Sequence, residues 1–302
     1  MKHKSTRRLD TLIEEYRKHL LDVQGVSPGT VKWHTRQVRQ FLEVHGTIKL
    51  NRLRPTDLHH YLGDLASRYR PKTLKSTASS LRSFLKFAQL MGLCSSMLSA
   101  TIPSIGFRCA SRPPKFLTGE QLSDLLDSFR PDNPGDLRNR AMVLCMVRLG
   151  LRASEVTGLK LEDLDWRKNV LHLTAPKSRR HQILPLDEEV KQSLVNYLSK
   201  ARPKTQERHV FLSLRPAGFP IGPGAVSRTT ARALKRAGIK APSQGAHLFR
   251  HTAAVSLVQQ GATVKEIADL LRHRDLNTTI IYAKVNFSLL QKAIQPWPEV
   301  KP

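Results

Sequence analysis

Between Met91 and Lys115 the apolar periodicity of this chain stops. Gly92, Ser95, Ser96, Pro103, Gly106 and the pair Pro113-Pro114 fall in a stretch without regular apolar spacing, a composition suited to a connector rather than to a helix or strand. The break divides 302 residues into two segments, each long enough to bury a core. The expected organisation is a helical N-terminal domain over residues 1–100, a linker over 101–115 and a second domain over 116–302.

The two segments differ in pattern. Residues 5–91 read as four helices. Leu9, Leu12, Ile13, Tyr16 and Leu20 recur at helical spacing in the first. Ser27 and Pro28 supply an N-cap and a first-turn proline for the second, whose stripe is Val31, Val38, Phe41 and Leu42. Pro55 and Pro71 open the other two. Beyond the break, Thr118 with Gln121 reads as a capping box, and helices are predicted at about 118–129, 135–149, from Ala153, and at 187–201, 223–237, 247–260, 263–271 and 277–285. Between residues 160 and 186 the period changes. Leu171 and Leu173, then Ile183 and Leu184, predict a hairpin around Ala175-Pro176-Lys177-Ser178. The fold class expected is therefore mainly α: a four-helix N-terminal domain, then a mixed α/β but mostly helical domain with a small antiparallel sheet.

Charge narrows the class of partner. Lys and Arg number 50 against 24 Asp and Glu, a net charge of +26, more than solubility requires. Residues 1–110 hold 19 basic and 7 acidic residues, and 111–302 hold 31 and 17. Both halves are basic, as expected if both contact one polyanion. Lys32, Arg36 and Arg39, then Lys72, Lys75, Arg82 and Lys86, fall on polar helix faces of the first half and are candidate DNA contacts, as are Arg179 and Arg180 in the second. Three cysteines, Cys94, Cys109 and Cys145, have no metal-ligand spacing and read as reduced thiols of a cytoplasmic protein. No apolar run suits a bilayer span, and MKHKSTRRLD lacks the apolar region of a secretory signal.

Against this background one ordered set of residues carries chemistry: Arg152 in GLRASEV, Lys177 in APKSRRHQILP, His247 and Arg250 in HLFRH, His273 in LRHRD and Tyr282 in TTIIYAKV. Arginines neutralise phosphate oxygens, a tyrosine can be the nucleophile, and lysine and histidine move protons. A phosphodiester can be attacked with this kit without a metal or other cofactor. The chain offers neither a P-loop nor the clustered carboxylates of two-metal nucleases.

The set and its order resemble those of the tyrosine recombinases, the phage-integrase family, most strongly over residues 113–284. The resemblance implies an N-terminal SAM-like core-binding domain and a C-terminal catalytic domain. It makes Arg152, Lys177, His247, Arg250, His273 and Tyr282 catalytic, with Tyr282 the nucleophile. Glu155 is the acidic neighbour of Arg152, and His251 completes the H-x-x-R-H box in a supporting role. Two positions depart from the family pattern: Phe249 stands where leucine is common, and Arg272 precedes His273 where glycine is common. The implied activity is site-specific recombination of double-stranded DNA through a 3′-phosphotyrosyl link, with two recombination sites, a homo-oligomer forming a dimer on each site and a tetramer at the synapse, and possible use of a second related recombinase.

Within that family the length fits the two-domain Xer type, and the ending IYAKV…QPWP points toward integration, excision or transposition of a mobile element. Xer-type resolution of chromosome or plasmid dimers is the alternative. A type IB topoisomerase and a noncatalytic DNA-binding regulator are the other classes considered. The expected location is the cytoplasm, on the nucleoid when DNA is bound. Phe287, Leu289, Leu290 and Ile294 form an apolar face after the tyrosine, which by the same resemblance docks on a neighbouring protomer.

Overall fold

The computed structural model describes residues 2–45, 50–95, 97–106, 114–174, 181–243, 245–273, 275 and 277–283. Lys177, Arg179, Arg180, Cys109 and the apolar face after Tyr282 lie outside the described residues. The chain forms two compact units, Met1–Ala110 and Ser111–Pro302.

In the first unit α1 (Lys2–Lys18), α2 (Pro28–Val44), α3 (Pro55–Arg68) and α4 (Pro71–Leu90) are the four expected helices. Three begin on proline, whose fixed φ suits the first turn and whose missing N–H is not needed there. Ser27 sits at the N-cap of α2, but its hydroxyl bonds Thr30 Oγ1 at 3.0 Å instead of a backbone N–H. α1 continues as a π-helical turn over His19–Val23, which the periodicity did not predict. α1 packs on α2, and α2 and α3 pack on α4. Tyr16, Phe41, Leu58, Leu81 and Phe84 are fully buried between them, and the Tyr16 and Phe84 rings meet edge to face at 5.3 Å. Burying one such side chain contributes about 1.5–3 kcal/mol.

The stretch read as a connector is partly structured. A short helix, α5 (Leu98–Thr101), lies within it, and Leu98 and Ile102 are buried in the N-terminal core. Arg82 anchors the segment by donating to the carbonyls of Ile102 at 3.1 Å and Pro103 at 3.3 Å. The apolar content of residues 97–105 is too sparse for a periodicity, yet Leu98 and Ile102 are buried in the existing core and Ile105 packs against it, while Met97 stays exposed.

The second unit begins with α6 (Gly119–Asp127), whose capping box is formed as its sequence predicts: Gln121 N–H donates to Thr118 Oγ1 and Thr118 N–H to Gln121 Oε1. α7 (Pro134–Val147) is the central helix. Ala141 to Val147 are all buried, so its apolar residues surround the helix rather than form one stripe. It packs against α8 (Ala153–Gly158), α9 (Glu188–Lys200), α10 (Pro223–Arg236) and α11 (His247–Gln259). α12 (Val264–Leu271) and α13 (Asn277–Ala283) follow, α12 packing on both α11 and α13.

A three-stranded antiparallel sheet, β1 (Leu164–Asp165), β2 (Val170–Thr174) and β3 (His181–Pro185), covers one side. Leu171 pairs with Leu184, which sets the inward face of the expected hairpin. A second antiparallel hairpin, β4 (Leu212–Leu214) with β5 (Ala217–Pro220), is an element that the sequence patterning did not predict. Among the described residues no helix is long and apolar enough to cross a membrane.

Candidate active site

Arg152 is the N-cap of α8, and its own sequence neighbourhood fixes it. Its backbone N–H donates to Glu155 Oε2 at 2.8 Å and its guanidinium to Glu155 Oε1 at 2.7 Å. Glu155 is only 4% exposed. Burial works against its charge, but Arg272 and the backbone and guanidinium of Arg152 together hold its carboxyl below the usual range. Glu155 thus acts as the fixed anion that orients the first arginine.

Arg250 lies on α11 and is 1% exposed. Its guanidinium donates to the carbonyls of Gly150 and Leu271, which join the segment before α8 to the end of α12. Burial, with Arg152 and Arg272 nearby, pulls its pKa down to about 9, against the pull of Glu155 and Tyr282. It remains a cation at neutral pH. Gly150 adopts φ +58°, and a Cβ there would meet Leu271 Cδ2 at 2.8 Å. Only glycine lets its carbonyl reach both Arg250 and Arg272.

Tyr282, on α13, is 2% exposed and packs with Ala254, Val255, Val258, Ile267 and Leu271. Burial pushes its phenol up to about 12, although Arg250 and Arg152 favour the phenolate. Its hydroxyl lies 2.7 Å from His251 Nδ1. Burial, His247 and Arg250 push the His251 pKa down to about 4, so it is neutral at pH 7 and able to accept at Nδ1. His247 meets His251 edge to face with ring centres 4.5 Å apart. His273, just after α12, pairs through Nδ1 with Thr279 Oγ1 at 2.7 Å, and burial with nearby Arg250 and Arg152 also pushes its pKa down to about 4.

The fold therefore brings Arg152, Glu155, His247, Arg250, His251, His273 and Tyr282 into one cluster from α8, α11, the end of α12 and α13. Lys177 lies outside the described residues. β3, which follows it in the sequence, is bonded to α12: Gln182 Nε2 donates to Asp269 O at 3.0 Å. The resemblance makes His247 a catalytic residue and gives His251 a supporting role. In this arrangement it is His251 that touches the phenol, a contact across 31 positions that no local spacing reveals.

The candidate DNA contacts of the first unit fall into two groups. Lys32, Arg36, Lys72, Lys75 and Lys86 are exposed on α2 and α4. Arg39 is paired with Asp10 at 2.8 Å, and Arg82 holds the segment after α5. In the second unit an open cleft of about 720 Å³ is lined by Arg138, Arg215, Arg228 and Arg232 and contains none of the catalytic candidates. The sequence signal for it was the run of basic residues along α10, which sequence reasoning passed over.

Residues 115–288 match the Phage integrase family, and residues 13–92 match the Phage integrase N-terminal SAM-like domain. A putative integrase/recombinase, y4rA of Sinorhizobium fredii, is 36% identical over 291 residues, covering 95% of this chain and 70% of that protein. Tyrosine recombinase XerD of Proteus mirabilis is 31% identical over 287 residues, covering 91% of this chain and 89% of that one. In fold the chain is similar to a lambda integrase dimer bound to a COC′ core site, with TM-score 0.69 at 17% identity over 97% of this chain and 99% of that chain. XerH bound to palindromic difH substrate is similar too, with TM-score 0.69 at 18% identity over 90% and 80% of the two chains. Both segments, in the expected order, match one family across nearly the whole sequence, and the chain belongs to the phage integrase family.

Proposed function

We propose that the protein is a tyrosine-type site-specific DNA recombinase that cleaves and rejoins strands of double-stranded DNA. The observation that carries this reading is the Tyr282 hydroxyl, 2.7 Å from a neutral histidine and within the field of Arg152 and Arg250. Tyr282 Oη attacks the phosphorus, the bond to the 5′ oxygen breaks, and a 3′-phosphotyrosyl link forms. Arg152 and Arg250 use the N–H groups not bound to protein acceptors to hold the non-bridging oxygens, more tightly as charge builds in the transition state. His251 or His247 takes the phenolic proton, and His273 donates to a phosphate oxygen. Lys177 protonates the departing 5′-hydroxyl. Attack by a 5′-hydroxyl of the same or another strand reverses the step, so resealing needs no external energy source.

With Tyr282 and Arg250 both nearly inaccessible, this arrangement is a resting one. Cleavage requires that α13 shift so that a phosphate can reach the arginines. The basic surfaces of α2, α4 and α10 bind the duplex, residues 1–100 serving as the core-binding domain and 116–302 as the catalytic domain. Lambda integrase has been captured as a dimer on a core site and as a tetramer on a Holliday junction, and this protein is proposed to assemble the same way, as a dimer per site and a tetramer at synapsis.

The biological role proposed is integration, excision or transposition of a mobile element, supported by similarity to the putative integrase/recombinases y4rA and y4rF of Sinorhizobium fredii. Xer-type dimer resolution is the second reading, supported by the near full-length match to XerD. The cytoplasm is the proposed location, in keeping with Cys94 and Cys145 as free thiols.

The test uses nicked duplexes from a randomised pool, captured as covalent adducts on the wild-type protein. Tyr282→Phe should bind the selected duplex and form no adduct. A surviving adduct would assign the nucleophile elsewhere, and no adduct with wild-type protein would refute the recombinase reading.

A further inference from the structure

Arg272 occupies a backbone position built for glycine. At the end of α12 the His273 N–H bonds Ala268 O at 3.0 Å and the Arg272 N–H bonds Asp269 O at 3.1 Å, the two bonds of a Schellman turn. Arg272 is the left-handed residue of that turn, with φ +54°. Among the described non-glycine residues only Asn169 shares a positive φ, and asparagine tolerates it. Such strain persists where surrounding contacts over-determine it, and it directs attention to what the side chain does.

The side chain turns inward and is 7% exposed. NH1 donates to Leu270 O at 2.7 Å, and NH2 to Gly150 O and Glu155 Oε2, both at 2.9 Å. In return the Arg272 carbonyl accepts from Arg152 NH2 at 3.3 Å. One residue therefore touches the fixed anion beside the first arginine, the carbonyl that also holds Arg250, and the turn that leads directly into His273.

We propose that Arg272 is a positioning residue of the catalytic centre, binding Glu155 and Gly150 so that Arg152, Arg250 and His273 are held in register before DNA arrives. It also shares the charge of Glu155. A carboxylate with Arg152 as its only cation would draw that guanidinium inward. With Arg272 on Oε2, Arg152 engages Oε1 and keeps N–H groups for a phosphate. A glycine would relax the turn and lose this tie. The strained backbone is kept for the sake of the site and not of the helix end. The proposal rests on the recombinase reading for its effect on cleavage, while the tie itself can be read without DNA.

The experiment compares Arg272→Gly, Arg272→Met and Arg272→Lys with wild type, after thermal unfolding has shown each to be cooperatively folded. Adduct formation is measured in a single turnover at saturating protein on the duplex selected by wild type. Losing a charged hydrogen-bond partner at the site should slow it by about 10- to 100-fold for Gly and Met, with duplex affinity within about twofold and partial rescue by Lys. In ¹H–¹⁵N spectra of the DNA-free protein the Nε–H resonances of Arg152 and Arg250 should shift in the Gly and Met variants.

Wild-type adduct rates and unmoved resonances in Arg272→Gly would overturn the proposal, leaving Arg272 a helix-end residue. Parallel loss of affinity and rate would overturn it differently, by making Arg272 a DNA contact. If wild-type protein itself forms no adduct, the recombinase reading fails, and the Nε–H resonances alone decide whether Arg272 positions the arginines.

Discussion

Gly150→Ala tests the packing that holds the two arginines together. Alanine at φ +58° costs about 1–2 kcal/mol as a left-handed L-residue. Its Cβ would lie 2.8 Å from Leu271 Cδ2, a side chain with no exposure, and relieving an overlap of that kind costs about 1–3 kcal/mol. The sum, about 2–5 kcal/mol, is a large share of a stability of about 5–15 kcal/mol. For a unit of this size it lowers the unfolding midpoint by roughly 4–20 °C.

Calorimetry and urea unfolding of the whole protein would measure this, with Gly158→Ala as the control. Gly158 has an ordinary φ and open space around its Cβ, so alanine there should be neutral or mildly stabilising. The double variant Gly150→Ala with Leu271→Ala removes the overlap and should recover about 1–3 kcal/mol relative to additivity. Because the Gly150 carbonyl accepts from Arg250 and Arg272, adduct formation should fall even well below the midpoint. A Gly150→Ala protein within about 0.5 kcal/mol of wild type would refute the reasoning, since the backbone would then have room that the structure denies it.

Three further outcomes follow from the protein's electrostatics. His251 and His273 have folded pKa values of about 4, below the ordinary value of about 6.5, so their contribution to stability is present above about 6.5 and is lost as pH falls through about 4. Urea midpoints measured from pH 7 to 4 should decline, and less so in His251→Asn and His273→Asn; an unchanged slope in both variants would refute the assigned burial. Arg152→Ala should lower adduct formation far more than duplex affinity, whereas Arg250→Ala should also cost about 1–3 kcal/mol of stability, because the buried Leu271 carbonyl loses its donor. Wild-type affinity should fall with salt at a log–log slope of roughly −0.9 per phosphate neutralised, and a flat response would remove the basic helices from the interface.

The sequence alone determined the parts of this protein set by near neighbours along the chain. Pro28, Pro55, Pro71, Pro134 and Pro223 start helices because a fixed φ acts on its own turn. Thr118 with Gln121, and the alternation of Leu171 and Leu173, likewise worked within a few residues. The order of Arg152, His247, Arg250, His273 and Tyr282 was enough to name the family and its chemistry. Contacts between distant positions were decided only by tertiary structure. His251 meets Tyr282 across 31 positions, and Arg272 meets Glu155 across 117 and Gly150 across 122. Leu98 and Ile102 looked like connector residues until a core was there to receive them. Local preference fixes where a helix begins, because its causes act within one turn. The partner of a buried hydroxyl or guanidinium is fixed by which elements pack together, since a buried polar group must find its hydrogen bonds wherever the fold supplies them.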